Sequence, residues 1–231
     1  MQQLPALRVF FFGDSISFGQ GVSPHKVWVN RIGESLSKEF EKTHNIIVQN
    51  PSINGNTTRM ALERIAFDVQ SHRPHILITE FGLNDCNVWE SDKGQPRTSP
   101  DAFAANLREI IERGRNFGAR RVIIGTNHPT TRTRVNLPNV DYTYETGNRR
   151  YNAIIREVAS ASGAELVDIE KAFERNVDDG LDRLHELLQS DELHLSERGH
   201  DVYYANYFPI VQAAVTSLVR DETSVVMPEI I

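Results

Sequence analysis

The chain has 231 residues, a length that suits one α/β domain with a sizeable buried core better than two small domains. Hydrophobic residues make up 39% of it and charged residues 24%, which is typical of a globular protein and argues against a disordered or membrane-embedded chain. The 25 lysines and arginines against 31 aspartates and glutamates give a net charge of −6 and no long basic run, so we expect no nucleic-acid partner.

The cysteine count indicates the redox compartment of the protein, and the length of its apolar runs indicates whether it could cross a membrane. Cys86 is the only cysteine, so the chain can form no internal disulfide, which fits a reducing compartment. The N-terminal residues lack the basic region of a secretory leader, and no stretch approaches the ~18 consecutive apolar residues of a membrane span. We therefore expect a cytoplasmic protein with no membrane partner.

Five short apolar runs bounded by turn residues predict buried β-strands. They cover residues 7–12, 46–49, 75–81, 121–127 and 165–168. Apolar residues at helical spacing between and after these runs predict helices. The helical stripes contain Trp28, Ile32, Leu36 and Phe40; Leu62, Ile65 and Val69; Phe103, Leu107, Ile110 and Ile111; Tyr151, Ile154, Ile155 and Val158; and Leu181, Leu184, Leu187 and Leu188, followed by a helix over 200–219.

The alternation of strands and helices determines the expected fold class. Each strand-helix-strand unit must cross the sheet right-handed, which favours a five-stranded parallel sheet with helices on both faces. We therefore expect a three-layer α/β/α sandwich of the flavodoxin-like kind. Residues 1–220 are expected to form this single domain. Residues 221–231 form a C-terminal tail whose apolar residues are expected to dock on the domain itself, in preference to a second subunit of a homo-oligomer.

Polar turn segments follow the first four predicted strands. They are residues 13–15, 50–55, 82–85 and 128–130. Ligands of an open parallel sheet bind beyond the carboxyl ends of its strands, so these segments predict a site along one edge. Two irregular segments, 88–100 and 128–147, are long enough to be lids over that edge.

Ser15 follows the first strand through Gly13 and Asp14. A strand-to-helix turn of this kind presents a hydroxyl well placed to attack an acyl carbon. The alternative is that Asp14 or Ser15 only caps the next helix, and the triplet by itself favours that explanation. Ser15 therefore needs a base elsewhere in the chain to act as a nucleophile.

Asp191 and His194 can supply this base. Their spacing of three lets the carboxylate hold the imidazole Nδ1 while Nε2 faces outward, and the turn-forming residues that follow place the pair on a loop. Donors to a developing oxyanion can come from the Gly55 backbone N–H and the Asn84 carboxamide. Each of these residues alone is more often an ordinary surface or turn residue, and only the combination points to acyl transfer.

The combination resembles the GDSL/SGNH hydrolases in four blocks that span nearly the whole chain. Residues 12–19 look like the first block of that family and residues 52–58 like the second. The third and last blocks are matched by Gly82-Leu83-Asn84-Asp85 and by Asp191-x-x-His194. Two departures lie beside Gly55: Asn54, where a serine is common, and Asn56, where many relatives have aspartate.

The resemblance implies the SGNH hydrolase fold and a role for each matching residue. Ser15 would be the nucleophile and the first oxyanion donor through its N–H, with Gly55 and Asn84 as the other donors. His194 would be the base and Asp191 the group that orients it. Because the departures lie beside a donor and not on it, they bear on the substrate more than on the mechanism.

Weaker candidates for substrate binding lie in the two long irregular segments. His128, Arg132 and Arg134 could meet an anionic group or a sugar, and Trp89 and Tyr144 could line an acyl or sugar pocket. For each of them a solvated loop or packing in the core is the alternative. No metal-ligand spacing occurs, so we expect neither a metal nor another cofactor.

These features together predict a serine esterase acting on a small acyl ester. An acetyl group is favoured because no large apolar stretch suggests a lipid interface, and an O-acetylated carbohydrate is the candidate substrate on the breadth of the family alone. Two alternatives stay open. One is an O-acyltransferase in which a sugar hydroxyl captures the acyl-enzyme, and the other is a non-catalytic glycan-binding module on the same fold.

Overall fold

A computed structural model describes residues 4–225. Its centre is a parallel sheet of five strands in the order β2-β1-β3-β4-β5, which confirms the predicted sheet. The strands are β1 Ala6–Gly13, β2 Asn45–Gln49, β3 Ile76–Glu80, β4 Arg121–Gly125 and β5 Glu165–Val167. The helices are α1 Ser15–Phe18, α2 Trp28–Phe40, α3 Thr58–Asp68, α4 Pro100–Asn116, α5 Tyr144–Ser162, α6 Ile169–Asp178 and α7 Glu197–Val225.

Helices cover both faces of the sheet, which confirms the three-layer α/β/α sandwich. Phe11 and Phe12 are neighbours in β1, so their side chains point to opposite faces. The Phe11 ring packs edge-on against Trp28 of α2, and Trp28 packs against Tyr207 of α7, with centroids 5.3 and 4.4 Å apart. On the other face, the Arg64 guanidinium of α3 lies 4.5 Å from the Phe12 ring centroid. The helices α3, α4 and α5 pack in series on that side.

Burial on both faces explains why these apolar runs become strands. All five residues of β3 are buried. Parallel strands without a solvent face read as continuous apolar runs in place of an alternating pattern. In the register of β1 with β3, Gly13 lies opposite Glu80, so the loops that leave these two strands emerge side by side.

One predicted helix is wrong. The leucines at 181–188 form no α-helix, since only a 3₁₀ turn covers Leu184–Glu186, while α6 occupies Ile169–Asp178 directly after β5. Gly180, with φ of +70°, closes the end of α6, where the Leu181 N–H donates to the Asn176 carbonyl at 3.1 Å. Leu187 and Leu188 are buried, and Leu188 forms an isolated antiparallel bridge with Leu195. Leu181 is 66% exposed, so the helical spacing of the four leucines corresponds neither to a helix nor to a common buried face.

Several predicted boundaries also differ from the structure. Because β4 ends at Gly125 and α5 begins at Tyr144, the irregular segment predicted at 128–147 covers 126–143. The segment predicted at 88–100 contains a 3₁₀ turn and ends where α4 begins. The boundary predicted at 221 falls inside α7. Residues 226–231, which make up most of the predicted docking tail, lie outside the described residues. Within the part that is described, no helix is long and apolar enough to cross a bilayer.

Candidate active site

Ser15 is the first residue of α1, immediately beyond the end of β1. At Gly13 a Cβ would lie 2.7 Å from the Glu80 carbonyl oxygen, so the close passage of β1 and β3 requires glycine. Asp14 caps α1 by accepting a hydrogen bond from the Ile16 N–H at 3.0 Å. The cap that was the alternative explanation of this triplet is therefore present, and it sets Ser15 in the first turn of the helix.

The loop after β2 is joined to the end of β1 by two hydrogen bonds. The Gly13 N–H donates to Ser52 Oγ at 3.0 Å, and the Ile53 N–H donates to the Gly13 carbonyl at 3.2 Å. Gly55 follows in the same turn with φ of +75° and with open space where a side chain would project. A left-handed backbone, and not crowding, is therefore the reason for glycine at this position.

Asn84 and Asp85 lie in the turn after β3, and each is tied to a neighbouring loop. Asn84 Nδ2 donates to Asp14 Oδ2 at 3.0 Å, which sets the carboxamide beside the Ser15 turn. Asp85 is fully buried and accepts hydrogen bonds from the Thr58 N–H at 2.9 Å and from Thr58 Oγ1 at 2.6 Å. Asp85 thus fastens the Asn84 turn to the start of α3, a role that was not predicted.

His194 completes a chain of contacts that ends at Ser15. Its Nε2 lies 2.9 Å from Ser15 Oγ, and its Nδ1 lies 2.5 Å from Asp191 Oδ2. The other Asp191 oxygen accepts from the Leu193 and His194 N–H groups at 3.0 and 2.9 Å. Partial burial would raise the pKa of Asp191, but its hydrogen bonds outweigh burial and hold the pKa below its usual range. Asp191 is therefore an ionised carboxylate that fixes Nδ1 as the protonated nitrogen.

Two buried carboxyl groups lie near the Ser15 turn, and both have raised pKa values. Burial raises the pKa of Asp14 to about 7, with Asp85 adding to the rise and Arg97 opposing it. Burial also raises the pKa of Glu80 well above its usual value, and the charge of Asp14 raises it further. Burial therefore disfavours the charged form of both carboxyl groups.

His128, a predicted substrate-binding residue, is fully buried and cannot meet a substrate. Its Nε2 lies 2.8 Å from the Leu193 carbonyl, and its Nδ1 lies 2.8 Å from the Tyr203 hydroxyl. Because a carbonyl only accepts, Nε2 carries the proton and Nδ1 accepts from Tyr203. Burial lowers the pKa of His128 to about 4, so the ring is neutral. The position after β4 that suggested a surface site instead supports the residue next to His194.

Arg132 and Tyr144 also contact the backbone of the site. Arg132 donates through Nε and Nη2 to the Asp191 carbonyl at 3.1 and 2.8 Å. Tyr144 is buried, and its hydroxyl donates to the Leu83 carbonyl at 2.5 Å. Both residues therefore hold loops of the site in place, and both also line an open cavity beside it.

Trp89 and Arg134 are accessible from solvent. Trp89 is 51% exposed, and the Arg97 guanidinium lies 4.3 Å from its ring centroid. Arg134 is exposed and lines an open cavity of about 490 Å³ that Asn87 and Glu192 also line. Both side chains are accessible to a bound molecule, and their part in substrate binding stays a prediction.

Arg97 is a residue of the site that the sequence analysis missed. Its Nη1 donates to the Gly55 carbonyl at 3.1 Å and to Asn84 Oδ1 at 3.3 Å. It stands 42 positions from Gly55 and 13 from Asn84. Because it belongs to none of the four sequence blocks, no local pattern could have identified it.

The side chains that meet at this edge of the sheet suit acyl transfer. A serine hydroxyl next to the unprotonated nitrogen of an imidazole can lose its proton while it attacks an electrophilic carbon. In residues 4–225 no three histidine, cysteine, aspartate or glutamate side chains gather in a way that could hold a metal ion.

Known proteins resemble the chain in sequence and in fold. Residues 11–202 match the model of the GDSL-like lipase/acylhydrolase family. Esterase TesA of Pseudomonas aeruginosa is 27% identical over 161 residues, which cover 69% of this chain and 71% of that protein. The isoamyl acetate-hydrolyzing esterase 1 homolog of Mus musculus is 26% identical over 227 residues, 91% of this chain and 84% of that protein. The crystal structure of the acetyl xylan esterase AlAXEase matches with a TM-score of 0.69 at 22% identity, over 89% of this chain and 100% of that one.

Proposed function

Because the chain belongs to the GDSL-like lipase/acylhydrolase family and is a carboxylic ester hydrolase, we propose that it removes short acyl groups, acetyl above all, through an acyl-enzyme on Ser15. The observation that carries this proposal is the chain of contacts from Asp191 through His194 to Ser15 Oγ, at 2.5 and 2.9 Å. A serine becomes an effective nucleophile when a base takes its proton and a third group holds the tautomer of that base.

Acylation begins with the transfer of the Ser15 hydroxyl proton to His194 Nε2. Ser15 Oγ forms a bond to the ester carbonyl carbon, and the carbonyl oxygen becomes an oxyanion. When the intermediate collapses, the bond to the alcohol oxygen breaks and His194 returns the proton to that oxygen. Water then attacks the acyl-enzyme with His194 as its base, which releases the acid and restores Ser15.

The oxyanion is held by the N–H groups of Ser15 and Gly55 and by the Asn84 amide. As the first residue of α1, Ser15 belongs to the turn whose N–H groups have no partner within the helix. Asn84 Nδ2 carries two hydrogens, and the one that Asp14 does not accept is available to the oxyanion. Donors set in place before the reaction stabilise the developing charge without reorganising.

A short acyl group joined to a carbohydrate is the substrate class that we propose. The name of the mouse relative refers to an acetate ester, and that of the structural neighbour to acetylated xylan. Trp89 adds a half-exposed ring that a sugar could pack on. We propose a small-molecule or carbohydrate ester as the partner and the cytoplasm as its location.

Hydrolysis of p-nitrophenyl esters of increasing chain length tests this proposal. We expect the highest kcat/KM with the acetate, and Ser15→Ala should lower kcat by at least about 10⁴-fold, because removal of a triad member abolishes the covalent route. Ser23→Ala, at an exposed serine outside the site, is the matched control and should leave kcat unchanged. Faster hydrolysis of the octanoate than of the acetate would contradict the proposed acyl preference, and an active Ser15→Ala enzyme would contradict the mechanism.

Acetylated xylo-oligosaccharides then test the carbohydrate part of the proposal. Release of free acetate is expected, and transfer of acetyl to an added sugar acceptor would instead support the O-acyltransferase alternative, which uses the same acyl-enzyme. The non-catalytic glycan-binding module is set aside because the chain is an ester hydrolase by its family and relatives.

A further inference from the structure

We propose that Arg97 is a positioning residue that sets the oxyanion donors Gly55 and Asn84 in their working orientation. This inference rests on the proposed function, since it concerns the donors of that reaction. A single guanidinium nitrogen, Nη1, donates to the carbonyl of one donor residue at 3.1 Å and to the side-chain oxygen of the other at 3.3 Å. Arg97 therefore adds a second link between the Asn84 turn and the Gly55 segment, beside the one that Asp85 makes to Thr58 at the start of α3.

The orientation of the Asn84 amide is determined by a hydrogen-bond donor on one side and an acceptor on the other. Its oxygen faces the Arg97 guanidinium at 3.3 Å, and its nitrogen donates to the Asp14 carboxyl at 3.0 Å. If the amide turned over, its oxygen would face a carboxyl oxygen and its NH₂ would face a cation, and both contacts would be lost. The pair Arg97 and Asp14 thus keeps the Asn84 NH₂ at the site, where the oxyanion forms.

Two hydrogen bonds hold the peptide on the carbonyl side of Gly55: the one from Arg97, and one from the Asn56 N–H to the Ile53 carbonyl at 3.2 Å. The Gly55 backbone is left-handed, and no atom lies within 4 Å of the place where a Cβ would stand. Glycine in such a turn has the largest conformational freedom of any residue. The hydrogen bond from Arg97 holds the peptide that follows Gly55. It thereby restrains the backbone angles that orient the preceding peptide, whose N–H donates to the oxyanion.

Arg97 is itself fixed in place. Its guanidinium lies 4.3 Å from the centroid of the Trp89 ring, its Nη2 lies 3.8 Å from Met60 Sδ, and its backbone N–H donates to the Asn87 carbonyl at 2.9 Å. A planar guanidinium can stack on a ring and bridge two acceptors at once, which the point charge of lysine does less well. We therefore expect Arg97→Lys to keep only part of the function.

A double-mutant cycle between Arg97 and Asn84 tests the proposal, with kcat and KM measured on p-nitrophenyl acetate. We expect Arg97→Met to lower kcat about 10- to 100-fold with little change in KM, less than the 10²- to 10³-fold typical of deleting a donor. Arg97→Lys should lie between Arg97→Met and the wild type. In an Asn84→Ala background the fold-loss of kcat caused by Arg97→Met should be less than about a third of the fold-loss that it causes in the wild type, because the effects of coupled residues are not additive.

Arg31→Met is the matched control, because the Arg31 guanidinium also stacks on a ring, 4.4 Å from the Tyr204 centroid, but lies between α2 and α7. It should leave kcat unchanged. Equal effects of Arg97→Met in both backgrounds, or a kcat within about twofold of the wild type, would overturn the proposal. An inactive wild type would instead contradict the proposed function, and if Arg97→Met does not fold, Arg97→Lys gives the same comparison.

Discussion

The two sides of the active site are held in different ways. On the side of the oxyanion donors, buried carboxyl groups accept hydrogen bonds from the neighbouring loops. The loops after β1, β2 and β3 are fastened by buried polar groups, such as the Asp14 carboxyl under Asn84 and the Asp85 carboxyl under Thr58. These contacts fix side-chain orientation before a substrate arrives, as stabilisation of an oxyanion requires. Burial disfavours the ionised form of such carboxyl groups, and it raises the pKa of Asp14 to about 7.

The side of the base, which carries Asp191 and His194, is held through the backbone of its turn. Its backbone carbonyls accept hydrogen bonds, from His128 beneath the turn and from Arg132 at its outer surface. Asp191 itself is partly exposed, and hydrogen bonds keep its pKa low. The comparison shows that buried carboxyl groups and Arg97 orient the donors, whereas the turn of the base is held through its backbone carbonyls by the buried His128 and by Arg132.

The largest expected effect is that of removing the base, which we compare with removing one oxyanion donor. His194→Ala should lower kcat on p-nitrophenyl acetate by at least about 10⁴-fold, since the nucleophile loses its base. Asn84→Ala should cost about 10²- to 10³-fold, because two backbone donors remain. A larger loss for Asn84→Ala than for His194→Ala would reverse the assigned roles.

A smaller effect is expected at the two side chains that hold the turn of Asp191 and His194, the buried His128 and the half-exposed Arg132. His128→Phe leaves the Leu193 carbonyl and the Tyr203 hydroxyl without their partner, so we expect kcat to fall about 10-fold and the free energy of unfolding to fall by about 1–3 kcal/mol. Arg132→Met, at the half-exposed residue, should lower kcat less than about threefold, because water can replace its hydrogen bonds. Steady-state kinetics and urea titration measure both quantities. If His128→Phe lowers stability and leaves kcat intact, the histidine is only a core residue.

The smallest expected effect is a difference in pH dependence between the two aspartates. Asp14 has a higher pKa in the folded state than the ordinary value of 3.8, so it binds more protons when folded, and stability falls as the pH rises from about 4 to about 7. The pKa of Asp191 is lowered on folding, so its contribution is present above pH ~4 and is lost only below it.

Asp14→Asn should therefore raise the urea midpoint, relative to wild type, more at pH 8 than at pH 5. Asp191→Asn is the matched control and should shift the midpoint equally at the two pH values, because that carboxyl is ionised at both. An equal shift for Asp14→Asn would show that its burial does not raise its pKa in the folded protein.

Much of the fold could be predicted because its signals are local. The apolar runs that form the inner strands β1, β3 and β4 are almost wholly buried, and their continuous apolar composition indicates this. The helix predicted at 181–188 is wrong because Leu188 pairs with Leu195 in an antiparallel bridge, while Leu181 is 66% exposed. Periodicity could not predict this, since the bridge depends on a contact outside the leucine segment.

The sequence by itself determined the residues that meet at Ser15, because the strand-to-helix turn and the spacing of Asp191 and His194 are properties of short segments. Only the tertiary structure decided what holds them. Arg97 meets Gly55 across 42 positions, and His128 meets the Leu193 carbonyl across 65. Hydrogen bonds at such separations depend on how the loops of neighbouring strands pack, and no residue pattern within one segment encodes that.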